Sequence, residues 1–302
     1  MKPKIIVVLG QTSTGKSDLA VAIAQKYNGE VISADSRQVY KGLDLGTGKI
    51  TKKEKRGIPH HLLDVANPKN KFSVTEYQEL TNSAIAEIVN RGKIPILCGG
   101  TGFYLDAITK NIVFPEVPPN IKLRKILNQK TALELFQMLA KLDKQRARDI
   151  KNKNEQNNKV RLIRAIEISK HLGKVPKIKK QIAKYDFIKI GLSLDDTELK
   201  DKIHGRLLAR IKKGMVKEAI SLHQKGLSWK RMLELGLEYR YLALYLQKKI
   251  TKKEMEERLT TEIVHYAKRQ KTWFKKDSEI VWFHPKEISK IEKYLKNKIR
   301  KN

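Results

Sequence analysis

Residues 10–17 carry the most specific chemistry in the chain. Gly10, Gln11, Thr12, Ser13, Thr14, Gly15, Lys16 and Ser17 fit the pattern G-x-x-x-x-G-K-[ST]. Its glycines let backbone N–H groups turn inward around a phosphate, and the helix expected to follow adds the positive end of its dipole. Lys16 supplies a point charge, and the Ser17 hydroxyl can bind Mg²⁺. The pattern calls for a phosphorylated ligand without specifying ATP. A second chemical group, Asp35-Ser36-Arg37-Gln38-Val39-Tyr40, offers a carboxylate that can accept a proton or hold a cation, or that simply caps a turn. A third, Gly99-Gly100-Thr101-Gly102-Phe103-Tyr104, is a glycine turn with Thr101 either as helix cap or as a hydroxyl facing the same ligand.

These groups need a scaffold, and the surrounding residues supply its signals. Lys4–Leu9 is a β-branched run ended by Gly10, Glu30–Ala34 is a second strand signal, and Ile94–Cys98 a third. Ser17–Tyr27 and Val74–Asn90 have helical spacing. Alternation of this kind predicts a parallel sheet with helices on both faces, and in such sheets ligands bind at the carboxyl ends of the strands. All three chemical groups follow strand signals directly. The proline-rich segment 115–120 marks a change of texture. From there to about residue 180 the chain is helical and basic. Two further strand signals, Asp186–Leu194 and Glu279–Phe283, return the chain to the sheet between long helices. The expected organisation is an α/β core over 1–114, a helical insertion over 115–180 and a return to the core over 181–302, with the last residues, KNKIRKN, frayed.

The chain has 302 residues with 64 Lys and Arg against 32 Asp and Glu, a formal charge of +32. Residues 1–100 hold only 15 of the basic side chains and 9 of the acidic ones, so the excess belongs to the last two thirds. A polyanion is the partner that such a distribution fits. A single cysteine, Cys98, excludes a disulfide framework and a cysteine-based zinc site, and fits a reducing cytoplasm. No apolar stretch is long enough to span a membrane. His60-His61 suggests a metal, but adjacent side chains diverge and no second ligand pair follows, which favours a loop or packing role. Arg161 and Arg164 lie one helical turn apart, either gripping phosphates or forming a solvated face. Lys202, Arg206 and Arg210 form a basic stripe. The run 266–274 interleaves aromatics and cations, which suits nucleic acid, although Trp273 and Phe274 read more readily as core.

Taken together, GQTSTGKS, SADSRQVY, GTGK at 46–49, IPHHLLD, GGTGFYLDAI, RLIRAIE and YAKRQKTWF occur in an order that resembles the tRNA dimethylallyltransferase (tRNA isopentenyltransferase) family over about residues 4–283. The resemblance implies a P-loop NTPase-like fold with an inserted helical tRNA-binding domain. It implies transfer of a dimethylallyl group from dimethylallyl diphosphate to the exocyclic N6 amine of the adenosine 3′ of the tRNA anticodon, with Mg²⁺ as cofactor. It assigns catalysis to Asp35, Thr101, Lys16 and Arg206, diphosphate binding to residues 10–17, and the metal to Ser17. It assigns tRNA contacts to Asp35, Ser36, Arg37, Gln38, Thr101, Arg124, Val160, Arg161, Leu162, Ile163, Arg164 and Arg269, and implies a cytoplasmic protein, expected to be a monomer. One departure stands out: Leu235-Gly236-Leu237-Glu238-Tyr239-Arg240 replaces the family's frequent G-Y-[KR]-[EQ]. The competing readings are a P-loop small-molecule kinase, an RNA-binding module with a vestigial nucleotide site, and an enzyme prenylating free adenine nucleotides. The first and the last leave the basic insertion unexplained.

Overall fold

The computed structural model describes residues 2–177 and 184–300, and the Arg300 side chain is not among the described atoms. The chain divides into two compact units, residues 1–111 with 182–302, and residues 112–181.

In the first unit β-branched runs form the sheet. β1 (Lys4–Gly10), β2 (Gly29–Ser33), β3 (His60–His61), β4 (Ile94–Gly99), β5 (Asp186–Leu192) and β6 (Val281–Phe283) lie in the order β3-β2-β4-β1-β5-β6. Every pairing is parallel. β1 shows why these strands read as continuous apolar runs. Ile5, Val7 and Leu9 enter the core on one face of the sheet, while Ile6 and Val8 enter the core on the other. α1 (Lys16–Lys26) follows β1, α2 (Lys52–Lys55) is a single capped turn, and α3 (Val74–Asn90) and α4 (Gly102–Thr109) flank β4.

The second unit holds α5 (Ile121–Asn128), α6 (Ala132–Leu142), α7 (Lys144–Asn152) and α8 (Lys159–Leu172). They close on their own core of Leu127, Leu135, Leu139, Ile150, Leu162 and Ile166. The chain then returns through β5 to α9 (Asp196–Lys212), α10 (Met215–Gln224), α11 (Trp229–Leu235), α12 (Leu237–Leu246), α13 (Lys252–Phe274), β6 and α14 (Ile288–Arg300).

Two local expectations are corrected. His60 and His61 are a two-residue edge strand rather than a loop, paired with Val31 and Ile32. The basic end does not fray at 296, because Ile291 and Leu295 anchor α14 in the core and carry it through Arg300; residues 301 and 302 lie outside the described chain.

Candidate active site

The carboxyl ends of β1, β2 and β4 converge as the parallel topology requires, and a cavity of about 510 Å³ opens there. Its walls include Thr12, Ser13, Gly15, Lys16 and Ser17 of the glycine loop, Asp35 and Gln38 after β2, and Gly99-Gly100 after β4. Arg206 and Arg210 from α9 and Tyr266 and Gln270 from α13 line it as well.

The glycine loop is built to receive an anion. Gly15 takes a left-handed conformation (φ 86°) at the N-cap of α1, and no side chain caps that helix. The first N–H groups of α1 are therefore open to a ligand. At other helix starts, such as Ser73 on α3 and Thr251 on α13, a side chain closes the end. Lys16 donates to the Gln11 carbonyl at 2.5 Å and has no carboxylate partner. Burial lowers its pKa to about 8, with Arg206 adding to the shift and Cys98 and Asp35 opposing it. Arg206 is exposed to the cavity and makes no ion pair among the described residues. Lys213 of the wall likewise makes no ion pair among the described residues, while three other wall cations are committed. Lys49 pairs with Asp44 and Asp64, both at 2.6 Å, Lys202 with Glu198, and Arg210 with Glu238 at 3.0 Å. Lys16, Arg206 and Lys213 thus line the cavity without an ion pair among the described residues.

Asp35 combines the two roles its sequence allowed. Its Oδ1 accepts from the N–H groups of Arg37 (2.8 Å) and Gln38 (3.3 Å), fixing the turn. Its Oδ2 makes no hydrogen bond among the described residues. Thr101 occupies the N-cap of α4 without capping it. Its hydroxyl instead accepts from the Ser36 N–H at 3.0 Å, tying the β4 turn to the β2 turn beside Asp35. The Tyr266 phenol faces Thr101, and burial raises its pKa. Arg269, one helical turn on, is exposed with its guanidinium 5.9 Å from the Tyr266 ring centroid. Trp273 and Phe274 are packing residues, as their spacing suggests. Phe274 is buried, and the Trp273 indole donates to Asp106 at 3.2 Å.

Two residues inside the quoted motifs have roles that the motifs do not reveal. Gln270 is buried and accepts from the Thr12 N–H at 2.8 Å while donating to the Gly100 carbonyl at 2.9 Å. It clamps two glycine turns that are far apart in sequence. Gln11 donates to the Ala267 carbonyl of the same helix. The histidine pair stands outside the cavity. His61 shares the buried carboxylate of Glu30 with Arg91 and Lys93. Burial alone would raise the Glu30 pKa, but the hydrogen bonds from those three partners outweigh it and hold it down to about 2. No group of three or more His, Cys, Asp or Glu side chains suited to a metal exists among the described residues.

The family model described as IPP transferase matches residues 38–277. The chain belongs to that family. This IPP transferase is 38% identical to tRNA dimethylallyltransferase 1 of Syntrophus aciditrophicus, across 99% of this chain and all of the relative. It is 42% identical to tRNA dimethylallyltransferase 2 of Treponema denticola, across 91% and 92%. Among solved structures it superposes on the tRNA isopentenylpyrophosphate transferase of Bacillus halodurans with TM-score 0.74, 34% identity and coverage of 98% and 97%. It also superposes on a eukaryotic dimethylallyltransferase acting on tRNA, with TM-score 0.81, 27% identity and coverage of 98% and 77%. The relatives cover the glycine loop and Asp35, which lie ahead of the family-model match.

The RNA-contact residues expected in the helical unit of this IPP transferase divide into three kinds. Leu162 and Ile163 are buried in the unit's core, with their side chains turned away from solvent. Arg124 and Arg164 are half-buried and converge on Glu167, each with a 2.7 Å ion pair. The Asn120 N–H joins them at 2.6 Å. Val160 and Arg161 remain outward, Val160 at 78% exposure and Arg161 held only by the surface acid Glu155.

Proposed function

We propose that this IPP transferase moves a dimethylallyl group from dimethylallyl diphosphate to the exocyclic N6 amine of the adenosine 3′ of the anticodon in tRNA, releasing diphosphate. The observation that carries the reading is the meeting, in one cavity, of an uncapped helix start, the unpaired Lys16 and the unpaired Arg206 with a half-free carboxylate. The first three bind an anion. The last receives a proton.

The amine nitrogen forms a bond to the allylic carbon while the carbon–oxygen bond to the diphosphate breaks. Charge builds on the departing oxygen. The loop N–H groups, Lys16 and Arg206 stand where that charge develops, which is where fixed dipoles and cations accelerate a reaction most. The amine is a weak nucleophile because its lone pair is delocalised into the purine. Its proton goes to Asp35, whose Oδ2 is available, while Thr101 beside it orients the base. The base must leave its stack to enter a cavity of this kind, and an anticodon loop makes that inexpensive. Ser36, Arg37 and Gln38 line the turn that would surround the purine.

Magnesium fits the donor set. The exposed Ser17 hydroxyl and the carboxylates of Asp18 and Asp35 line one cavity, and without three clustered ligands the protein suits an ion held largely by substrate phosphates. When bound, the ion would neutralise charge on the leaving diphosphate. A monomeric, cytoplasmic enzyme is the expected state. No helix among the described residues is long and apolar enough to cross a membrane.

The test is mass analysis of tRNA nucleosides after incubation with dimethylallyl diphosphate and Mg²⁺. One C5 unit gained on adenosine supports the reading. Phosphoryl transfer from ATP to a small metabolite, with no gain on tRNA, replaces it with the kinase reading.

A further inference from the structure

Residues 44–49 cross one wall of the cavity without belonging to any helix or strand. Side chains supply what regular structure does not. The N–H groups of Asp44, Leu45 and Gly46 all donate to Glu218 at the start of α10, at 3.1, 2.7 and 2.9 Å. The Tyr239 hydroxyl adds a fourth donor at 2.7 Å. On the acceptor side, Arg210 donates to the carbonyls of Leu45 (3.3 Å) and Gly46 (2.7 Å). The Tyr239 ring fills the space against Gly46, where a β-carbon would come within 2.5 Å of the ring, so only glycine lets the two approach. At the far end of the segment, Gly48 lies against the guanidinium groups of Arg206 and Arg210.

We infer that Glu218 is a positioning residue for the diphosphate cradle. It touches no substrate. It sets the course of residues 44–48, and these form the wall beside which Arg206 stands unpaired. A long, solvent-facing guanidinium explores many rotamers, and a fixed wall restricts it toward the glycine loop. The site demands a carboxylate. Four donors point at Glu218, two at each oxygen, and an amide would turn its own N–H₂ group on one of those pairs. This part of the chain is also where the family's frequent G-Y-[KR]-[EQ] gives way to Gly-Leu-Glu-Tyr-Arg. Glu238 and Tyr239 of the replacement are the residues that hold Arg210 and Glu218.

The inference rests on the prenyl-transfer reading, and the experiment separates the two. Steady-state kinetics with tRNA and dimethylallyl diphosphate, and inhibition by inorganic pyrophosphate, are measured for the wild type, Glu218→Gln and Tyr239→Phe. Loss of a carboxylate bridging several donors is expected to raise the KM for dimethylallyl diphosphate and the pyrophosphate inhibition constant about tenfold in Glu218→Gln. The KM for tRNA should stay within about twofold. Tyr239→Phe removes one donor of four and is expected to move the same two constants in the same direction, by about two- to threefold. A lowered melting temperature with both constants unchanged would make Glu218 merely structural and overturn the inference. Should Glu218→Gln fail to fold, Tyr239→Phe decides by the same two constants. A wild type that adds no C5 unit to tRNA overturns the prenyl-transfer reading instead, whatever the variants do.

Discussion

Arg206 of the α/β unit and Arg164 of the helical unit carry the same guanidinium on similar helices, and the protein uses them in opposite ways. Arg164 and its neighbour Arg124 are spent on Glu167, a carboxylate only 2% exposed. Arg206 makes no ion pair among the described residues, although Asp18 and Glu54 line the same cavity. A cation that meets a buried carboxylate inside its own unit holds that unit together, since removing one partner strands the other. A cation left unpaired on a cavity wall is a binding group awaiting its anion. The high basic content of the chain therefore overstates its RNA-gripping surface, and pairing sorts the arginines better than their positions in a motif do.

The sharpest way to break that contrast is within the cavity. Asp35→Ala should lower turnover by about 10²–10⁴, the usual share of a positioned base, with pyrophosphate binding largely intact. Equal loss of both would mean that Asp35 only shapes the turn. Next in size is Glu167→Ala, which strands two guanidinium groups. Both are about one-third exposed, so the loss should be about 2–3 kcal/mol, below the full range for buried pairs, and read as a lower melting temperature. An unchanged melt would release Arg124 and Arg164 from their structural assignment. A third effect follows from Lys16. Its folded-state pKa is depressed to about 8, so its charge is complete below that pH and is lost as pH rises through it. The KM for dimethylallyl diphosphate should rise about tenfold between pH 7 and pH 9, and a flat profile would remove Lys16 from the cradle. The smallest effect belongs to Arg161. Its surface pair with Glu155 is weak and easily exchanged for a phosphate. Arg161→Ala should weaken tRNA binding modestly and reduce its salt dependence by about one charge. Arg124→Ala should lower thermal stability more than it changes the salt slope.

The legible parts of the fold were those with local causes. β1, β2 and β4 announced themselves through β-branched runs ended by glycine, and α3 through its spacing and a capping box at Ser73 and Glu76. The glycine loop was legible because strand, turn and helix follow one another without interruption. β3 was not, since two histidines have no periodicity and the strand exists only through pairing with β2. RLIRAIE shows the limit in another form. Its basic residues drew attention to the whole run, yet a helix that presents Val160 and Arg161 outward must turn Leu162, Ile163 and Ile166 into the core. The roles of Gln270 and Glu218 were not legible because the turns they hold lie 170 and 258, and 172 to 174, residues away, and only folding brings them together.

The Gln270 clamp also bears on synthesis. The glycine turn it holds is made 258 residues before the amide that closes it. A nascent chain therefore owns the phosphate-binding peptide long before it owns a rigid version of it. Premature termination ahead of residue 270 yields a product with every motif of its first hundred residues intact and no closed pocket in which to use them.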